Sequence, residues 1–338
     1  MFLKGTLHTL TKIGVLEHRT KSIFMKLKTI TFLLSFIISI VSAFAQDDED
    51  NENDDEYKNP KTENPKKKFH LGLLMSSYFA NNYTANLYDG RGFDINGNRN
   101  NFENSWMNQK LNHQYRGIYG GQQDQIALAL KVNPQEWFFD STDMPINMRY
   151  NTAYMIGLNC RYSVDEKNAV IFNVNSTKLT IVGNFTITTF RPVNSNNNYN
   201  PYKTFAIKGN EQRLMFQMGY QRIISDNDVF NFFIEGGVHA TLAKFDKNLI
   251  QINELEIDLK AYNNQTLYAA PFPSRIPVSL GFGLFGGTGI HLTMNPKWTI
   301  QLLYQATYEK INWGQNPALK LQNAVGLRAY YNFCLLLK

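Results

Sequence analysis

The chain has 338 residues and a formal charge of +6, from 34 lysines and arginines against 28 aspartates and glutamates. Its two cysteines, Cys160 and Cys334, are too few for a disulfide framework or a cysteine-based metal centre. The first 45 residues hold six basic residues and one acidic residue, which leaves a charge of only +1 for the remainder. The high pI therefore does not indicate nucleic-acid binding, and we expect no nucleic-acid partner.

A secretory signal peptide is predicted before the first strand. A basic segment that starts at Met25 precedes an apolar core at 30–41 and a small-residue cleavage site that ends at Ala45. The apolar core is shorter than the roughly 20 residues that a membrane-spanning helix needs, so a cleaved signal is favoured over a single membrane anchor. Residues 1–24 precede a complete signal, and we interpret them as an upstream extension.

Residues 46–68 have the composition of a linker. Eight of the ten positions from Asp47 to Glu56 are carboxylates, a charge density that opposes packing into a core. Prolines and lysines follow at 58–68. We interpret this segment as a disordered linker, first acidic and then basic, whose acidic part is a candidate docking tail for a protein partner or for Ca²⁺.

Residues 69–338 are predicted to form an all-β domain. Apolar and polar residues alternate with period two, which is typical of strands that have one apolar face and one polar or small face. In one strand the apolar residues move from even to odd positions, which predicts a β-bulge near Ser176 and Thr177. Eight strands are predicted, at 69–79, 150–162, 169–188, 212–223, 230–242, 277–293, 298–308 and 321–333.

The connections between these strands are alternately long and short. Tight polar turns are predicted at 164–168, 225–228 and 295–297, and long loops at 80–149, 189–211, 243–276 and 309–320. In an up-and-down barrel this order places every tight turn and both termini at one rim, as in bacterial outer-membrane barrels, whose periplasmic turns are short and whose extracellular loops are long. The predicted fold is therefore an antiparallel transmembrane β-barrel, most simply of eight strands.

Aromatic residues near the strand ends favour a membrane barrel over a water-soluble sandwich, which the alternation alone also permits. Aromatic girdles mark the two interfaces of a membrane barrel, and Gly, Gln, Asn, Ser and Thr on the opposite faces suit a polar interior. We therefore expect outer-membrane lipid around the barrel. The proposed girdle residues are Tyr162, Tyr220, Phe230, Trp298, Tyr308, Tyr331 and Phe333.

The first long loop contains a further alternating segment. Ile126, Leu128, Leu130 and Val132 are spaced by two, so 124–132 could be part of an extracellular hairpin or a ninth barrel strand paired with 136–140. Two prolines in this region disfavour another long strand. We expect eight barrel strands and additional structure within the loop at 81–148.

An eight-stranded barrel has an interior just wide enough to be filled by side chains. Buried charges need partners, so we expect Glu235 to pair with at least one inward-facing arginine. The predicted lumen network consists of Arg161, Arg213, Glu235, Arg328, His239 and His291.

No catalytic or metal constellation is predicted. His239 and His291 lack a convincingly placed serine or aspartate, so lumen packing is favoured over catalysis. Asp94, Asn96 and Asn98 resemble the start of a Ca²⁺ loop, but the glycine of that motif is misplaced at Gly97. We expect a non-enzymatic protein without a cofactor.

The signal, the alternating strands and the terminal segment Gly326-x-Arg328-x-Tyr330-Tyr331-x-Phe333 resemble Bacteroidota outer-membrane β-barrel proteins of the PorT/OmpA-like kind. The resemblance covers about residues 69–333. It implies residence in the outer membrane, and some such proteins serve type IX secretion or other envelope machines. The terminal aromatic segment also resembles the signal that the barrel-assembly machinery recognises, although five residues follow Phe333.

Two functions are consistent with these features. The first is a non-catalytic accessory component of an envelope machine, which binds partners through long loops rich in interface-type aromatics and through its acidic tail. The alternative is a small-solute channel, which requires ten or more strands. The loop aromatics concerned are Tyr88, Phe93, Trp106, Tyr115, Tyr119, Trp137, Phe138 and Phe139.

Overall fold

Eight antiparallel strands close into a ring in the computed structural model, as the alternation predicts. Each strand pairs with its neighbours in the chain, and the first strand pairs with the last from Phe69 opposite Phe333 to Phe79 opposite Asn323. The structure describes residues 68–94, 96–115, 124–190, 199–225, 230–260, 278–295, 297–313 and 318–333. Within them the ring strands are β1 (Lys68–Phe79), β2 (Ala153–Ser163), β3 (Asn168–Thr189), β4 (Tyr202–Ile223), β5 (Phe230–Ile252), β6 (Val278–Asn295), β7 (Trp298–Ile311) and β8 (Leu319–Phe333).

β3 has nearly its predicted bounds, whereas β4 and β5 are longer than predicted. β4 begins at Tyr202 rather than at 212, and β5 continues to Ile252 rather than ending at 242. Much of the loops predicted at 189–211 and 243–276 is therefore strand. The prediction was wrong because it required apolar residues on the outward face of a strand. That face becomes polar where β4 and β5 extend beyond the apolar band toward the rim opposite the tight turns, which is called the upper rim below.

The predicted bulge near Ser176 and Thr177 is absent from β3, which pairs with β4 from Asn168 to Thr188 without a register shift. Odd-numbered residues face inward along the whole strand, and the outward face changes from Val174 to Lys178 and Thr180. On the inward face, the polar residues Asn173, Asn175 and Thr177 are followed by the apolar residues Leu179 and Ile181. The apolar positions of β3 therefore change from even to odd where the surroundings of the strand change. The part before this point faces lipid, and the part after it faces water.

A bulge does occur in β5, where this strand pairs with β4. The pairing of β4 with β5 shifts between Asn210 and Glu211, because Asp246 has no partner between Phe245 and Lys247. The inward positions of β5 consequently move from odd to even numbers, so that Phe245 and Asn248 are both buried.

The connection between β1 and β2 contains short elements but adds no strand to the ring within its described residues. The segment predicted as a possible strand at 124–132 is instead the helix α1, Gln125–Leu130. Asp124 caps it by accepting a hydrogen bond of 3.0 Å from the backbone of Ala127, and Ile126 is buried while Leu128 is exposed. The other elements are a 3₁₀ turn at Ala85–Tyr88, a helical segment at Trp106–Asn108 that continues as a π-helical turn at Gln109–Gln114, a two-residue strand at Trp137–Phe138, a 3₁₀ turn at Ser141–Asp143 and a two-residue strand at Arg149–Tyr150.

The outer surface of the ring is apolar over a continuous band. This side of β1, β2, β4, β5, β6, β7 and β8 exposes large apolar side chains, whereas the inward positions at the same levels are mostly polar, small or charged. This inversion is the arrangement of a transmembrane barrel. Outward-facing residues of the band include Leu73, Met75, Tyr154, Ile156, Leu158, Met218, Tyr220, Phe232, Val238, Phe282, Leu284, Trp298, Leu302, Tyr304, Tyr308, Val325 and Leu327.

No helix in the described part of the chain is long and apolar enough to cross a membrane. All described residues belong to the unit Asn64–Lys338. The predicted signal and linker cover residues 1–68, of which only Lys68 is described, as the first residue of β1. The predictions for 1–67 lie outside the described residues and remain predictions.

The apolar band predicts the effect of a charge on the lipid-facing side. Val238→Arg, in the band on β5, is expected to lower the free energy of unfolding by about 2–4 kcal/mol, because the guanidinium must be placed in hydrocarbon. The control Thr180→Arg has the same change of charge on the outer face of β3 above the band, and should change stability by less than about 0.5 kcal/mol. Guanidinium titration of the barrel in phospholipid vesicles measures both, and equal losses would show that the band is misplaced.

Candidate functional site

The lower part of the lumen is organised by an ion pair between β8 and β5. Arg328 Nη1 donates to Glu235 Oε2 at 2.9 Å and its Nη2 donates to Glu235 Oε1 at 3.1 Å, and both side chains are fully buried. Gln221 Nε2 donates to the same carboxylate at 2.9 Å, and Arg328 also donates to Gln301. The expected pairing of Glu235 with an arginine is therefore present, in the two-pronged geometry that suits guanidinium and carboxylate.

Two other predicted lumen residues lie near this pair without joining an ion pair. Arg161 is buried, and among the described residues no carboxylate lies within ion-pair distance of it and its Nε has no hydrogen-bond partner. His291 lies with its Nδ1 3.0 Å from Gln301 Nε2. The structure thus brings both into the lumen, as predicted, but only His291 joins the hydrogen-bonded network by a direct contact.

Gln217 holds the middle of the lumen together. Its Oε1 accepts hydrogen bonds from Asn173 at 3.1 Å and from Gln305 at 2.9 Å, while its Nε2 lies 3.1 Å from His239 Nδ1. Asn159 donates to Asn173 at 2.7 Å and so extends the network to β2. These amides connect five of the eight strands, which fills the interior with polar contacts in place of an open path.

The upper part of the lumen is built around Arg213. Its Nε donates to Glu211 at 2.6 Å, and Glu309 Oε1 lies 3.8 Å from its Nη1. The same guanidinium donates to the hydroxyls of Tyr78, Thr84 and Tyr150 at 3.1–3.3 Å. Tyr150 in turn donates to Glu211 at 2.7 Å, so the charged groups at this level share one closed network.

Glu211 and Glu309 are functional members of the network that sequence reasoning missed. Both were assigned to loops, because the predicted β4 began at 212 and the predicted β7 ended at 308. The inward alternation does continue through them, since Gln301, Gln305 and Glu309 follow one another on the same face of β7. Extending each strand by its polar face as well as its apolar face would have found them.

The lumen is balanced in charge. The described strand residues that face it include three buried arginines, at 161, 213 and 328, and three buried glutamates, at 211, 235 and 309. With neutral histidines this gives no net charge. Since an unpaired buried charge is strongly destabilising, this balance indicates a structural interior.

Above Arg213 the lumen is closed by an apolar cap, formed by the β1–β2 connection packed against the inner faces of the tall strands. Phe245 of β5 lies at its centre, stacked on Tyr88 with ring centroids 4.1 Å apart and in edge contact with Trp106 at 5.8 Å. The cap core further includes Phe93, Met107, Leu111, Ile126, Trp137, Phe139, Met144, Met148, Ile181, Phe185, Ile187, Ile207, Ile250, Ile252, Ile257, Leu259, Ile311 and Trp313.

The cap changes the role of the loop aromatics. Tyr88, Phe93, Trp106, Trp137 and Phe139 are buried in its core, so they are not available as contact residues for a partner. The expectation that they form a surface was wrong, because interface and core favour the same residue types. Phe138 and Tyr115 are partly buried at the edge of the cap, and Tyr119 lies outside the described residues.

Turns at the surface of the cap are fixed by carboxylates. Asp140 and Asp143 form a capping box, and the hydrogen bond from the Thr142 hydroxyl lowers the pKa of Asp140. Burial lowers the pKa of Lys110, whose Nζ donates to Gln114 at 2.8 Å. These groups order the loop, and Asp143 also ties it to β3 by accepting hydrogen bonds from the hydroxyls of Thr186 and Thr188.

The histidines and the proposed Ca²⁺ segment show structural contacts. His239 Nε2 lies 2.6 Å from Thr241 Oγ1 and 3.2 Å from Glu309 Oε2, within the upper lumen network. Asp94 accepts the backbone N–H of Asn98 at 2.7 Å, which closes a turn. The described residues contain no cluster of three or more His, Cys, Asp or Glu side chains placed to hold a metal ion.

The fold is similar to those of several bacterial surface proteins of known structure. Ail, the attachment invasion locus protein of Yersinia pestis, is 11% identical over 79% of this chain and 99% of that chain, with a TM-score of 0.33. The outer membrane protein OprG from Pseudomonas aeruginosa is 12% identical over 80% and 97%, with a TM-score of 0.36. Neisserial surface protein A is 7% identical over 78% and 97%, with a TM-score of 0.34.

Similarity at this level does not indicate a shared function, and it does not bear on the finer resemblance to Bacteroidota and PorT proteins. No protein-family model and no curated relative matches the chain.

The Arg328–Glu235 pair predicts a strongly non-additive mutant cycle. Glu235→Gln should lower the free energy of unfolding by about 3–5 kcal/mol, because it leaves Arg328 buried without its carboxylate. The double variant Glu235→Gln/Arg328→Met should lose less than the sum of the single losses. Arg161→Met provides the matched control and should cost less than Arg328→Met, since Arg161 forms no ion pair with another described residue. Denaturant titration measures all four variants, and strictly additive losses would contradict the coupling.

Proposed function

We propose that this chain is a non-catalytic, non-conducting β-barrel of the bacterial outer membrane that presents its cap as a binding surface. The tight-turn rim, where both ends of the ring meet, faces the periplasm, and the capped rim faces the outside. In the finer form of the proposal, the barrel is an accessory component of an envelope machine for secretion or outer-membrane assembly. That form relies on the resemblance to PorT-like proteins of Bacteroidota.

The observation that carries the proposal is the double closure of the lumen. A charge-balanced network of hydrogen bonds and ion pairs fills the membrane-spanning part, and the apolar cap lies over it. A solute would have to displace both. The alternative function of a small-solute channel required ten or more strands, whereas the ring of the described residues has eight.

The orientation is supported by the unequal rims. Tight turns join β2 to β3 and β6 to β7, while the connection from β1 to β2 holds most of the cap. Outer-membrane barrels place short turns in the periplasm and long loops outside. A periplasmic position would leave the acidic segment at 47–56 able to dock a second partner, although that segment lies outside the described residues.

A non-enzymatic role is favoured by the contacts of the two lumen histidines. His239 and His291 are surrounded by hydrogen-bond partners of the structural network. Neither contacts a serine in the described part of the chain, and the Thr241 hydroxyl beside His239 donates to Glu309. A nucleophile must be free to reach a substrate, and this hydroxyl is buried and engaged.

A closed lumen predicts that the barrel does not conduct ions. The refolded protein in planar lipid bilayers should show no stable conductance steps, because neither ions nor water find a continuous path past the network and the cap. An open porin reconstituted in parallel serves as the positive control, and heat-modifiable migration confirms that the barrel is folded. Discrete and reproducible steps from the folded fraction would refute the non-conducting part of the proposal.

Partner binding through the cap predicts site-specific crosslinking in cells of the native host. A photoreactive amino acid at Leu128, which is 64% exposed on α1 of the cap, should give discrete products of higher mass. The same probe at Val164, which is 51% exposed in a tight turn of the other rim, should not give those products. Adding Phe245→Ala, which removes the centre of the cap core, should weaken the Leu128 products. Their absence, or identical products at both positions, would contradict binding through the cap.

A further inference from the structure

A concave groove lies at the capped rim and has an unusual lining. Its volume is about 740 Å³, and it is lined by residues from the start of the β1–β2 connection, from its end, and from β3, β4 and β8. Arg149, Lys208 and Lys320 are among the lining residues, and no aspartate or glutamate of the described chain is. The formal charge of the lining is therefore +3, out of a formal charge of +5 for the whole of residues 69–338.

The cations are placed by strand pairing. Arg149 pairs with Val182 of β3, and Val182 pairs in turn with Lys208 of β4. Residues paired directly across neighbouring strands project from the same face, so Arg149 and Lys208 flank Val182 in one row. Lys320 comes from the start of β8, and its Nζ lies 4.7 Å from the centroid of the Tyr83 ring.

These charges are available to a ligand. The ion pairs of the described residues join other cations to the carboxylates, and none includes Arg149, Lys208 or Lys320. Arg149 and Lys208 are exposed. A guanidinium and two ammonium groups around one concavity attract anions, and the guanidinium can bind a carboxylate, sulfate or phosphate through two hydrogen bonds.

The remainder of the lining suits a sugar. Amide side chains both donate and accept hydrogen bonds, as hydroxyl groups require, and the groove includes Asn81, Asn82, Asn86, Asn147 and Asn184. Two apolar surfaces are exposed beside them, the ring of Tyr83 at 41% and the side chain of Ile146 at 81%. The C–H faces of a pyranose ring can pack against such surfaces.

The β3 side of the groove lies above the apolar band. On the outer face of β3, the polar residues Ser176, Lys178 and Thr180 separate Val174 of the band from Val182 of the groove, eight residues later. At about 3.3 Å per residue this is roughly 25 Å along the strand.

On β8 the outward-facing Leu319 and Leu321 flank Lys320, so this side of the groove lies beside the apolar band. Both a free polysaccharide and the sugars of a lipid-linked one can therefore reach the groove.

We propose that this groove binds an anionic oligosaccharide, with Arg149, Lys208 and Lys320 contacting its acidic groups and the asparagines its hydroxyls. The inference rests on the proposed function, because it requires the capped rim to face the outside of the cell. It narrows that function to a chemical class of ligand.

Titration calorimetry on the folded full-length barrel in phospholipid nanodiscs tests the proposal. The probes are a galacturonic acid hexamer and a chondroitin sulfate hexamer, with maltohexaose as the neutral comparison. An acidic hexamer should bind measurably more tightly than maltohexaose, and its affinity should fall as salt is raised. Equal binding of the neutral hexamer, or no binding of either acidic hexamer, would overturn the proposal.

Charge-neutral variants locate the site. Arg149→Gln, Lys208→Gln and Lys320→Gln should each weaken binding about two- to five-fold, the range for an exposed ion pair, and the triple variant at least about ten-fold. Lys247→Gln removes a charge from an exposed position of β5 outside the groove, and it should bind as the unmodified protein does. Unchanged affinity of the triple variant would overturn the proposal, and heat-modifiable migration verifies that every variant is folded.

A further arm distinguishes the source of the sugar. Nanodiscs that contain lipopolysaccharide should compete with the acidic hexamer if the outer sugars of this lipid occupy the groove. Competition lost in the triple variant supports a lipid-linked sugar, and hexamer binding without competition supports a free polysaccharide. Failure of the sugar-binding proposal is distinguishable from failure of the proposed function. The barrel can show no conductance in planar bilayers and can crosslink from Leu128 even when no hexamer binds.

Discussion

Compensation of buried arginine charge is the constraint on which the interior of this barrel depends. Arg328 is held by the two oxygens of Glu235, and Arg213 by Glu211 with Glu309 nearby. Such partners offset the cost of removing these charges from water, and Gln221, Gln301 and Tyr150 add hydrogen bonds to the two clusters. Arg161 is the exception, because it is buried and no carboxylate of the described residues lies within ion-pair distance of it. Because the polar side chains of the lumen bond to one another, few of their groups remain to bind a solute.

The second constraint is the medium outside each part of a strand. Along β3 the outward residues change from Val174 to Lys178 and Thr180, while the inward residues change from Asn175 to Leu179 and Ile181. One strand therefore has its apolar face outward in its lower part and inward in its upper part, without a break in its pairing. Below the change the apolar face meets lipid, and above it the apolar face meets the cap. The cap is thus the hydrophobic core that the tall strands need once they stand in water.

The same change of medium explains what could be predicted from the sequence. The ring, its strand order and the Glu235–Arg328 pair were predictable, because the residues concerned lie in segments whose outward face is apolar. Glu211 and Glu309 were missed, because the apolar periodicity of the outward face ends where the strands leave the lipid, although the polar alternation of the inward face continues through them. The six residues of α1 were also beyond a period argument, since Ile126 and Leu128 fit either a helix or a strand. Ile126 is buried in the core of the cap, which favours the helix, and the pattern of a single sequence does not reveal that contact.

The unequal heights of the strands determine where binding chemistry can lie. β1 and β2 have 12 and 11 residues, whereas β3, β4 and β5 have 22 or 23, so the wall of the barrel steps upward between β2 and β3. The short strand Arg149–Tyr150 meets the tall wall at this step and brings Arg149 into one row with Lys208. Asn82 on the low side accepts the backbone N–H of Tyr150, which ties the two sides of the step together. The lumen of this barrel is filled by its own side chains, whereas the step in its wall creates a concave surface on a rigid support.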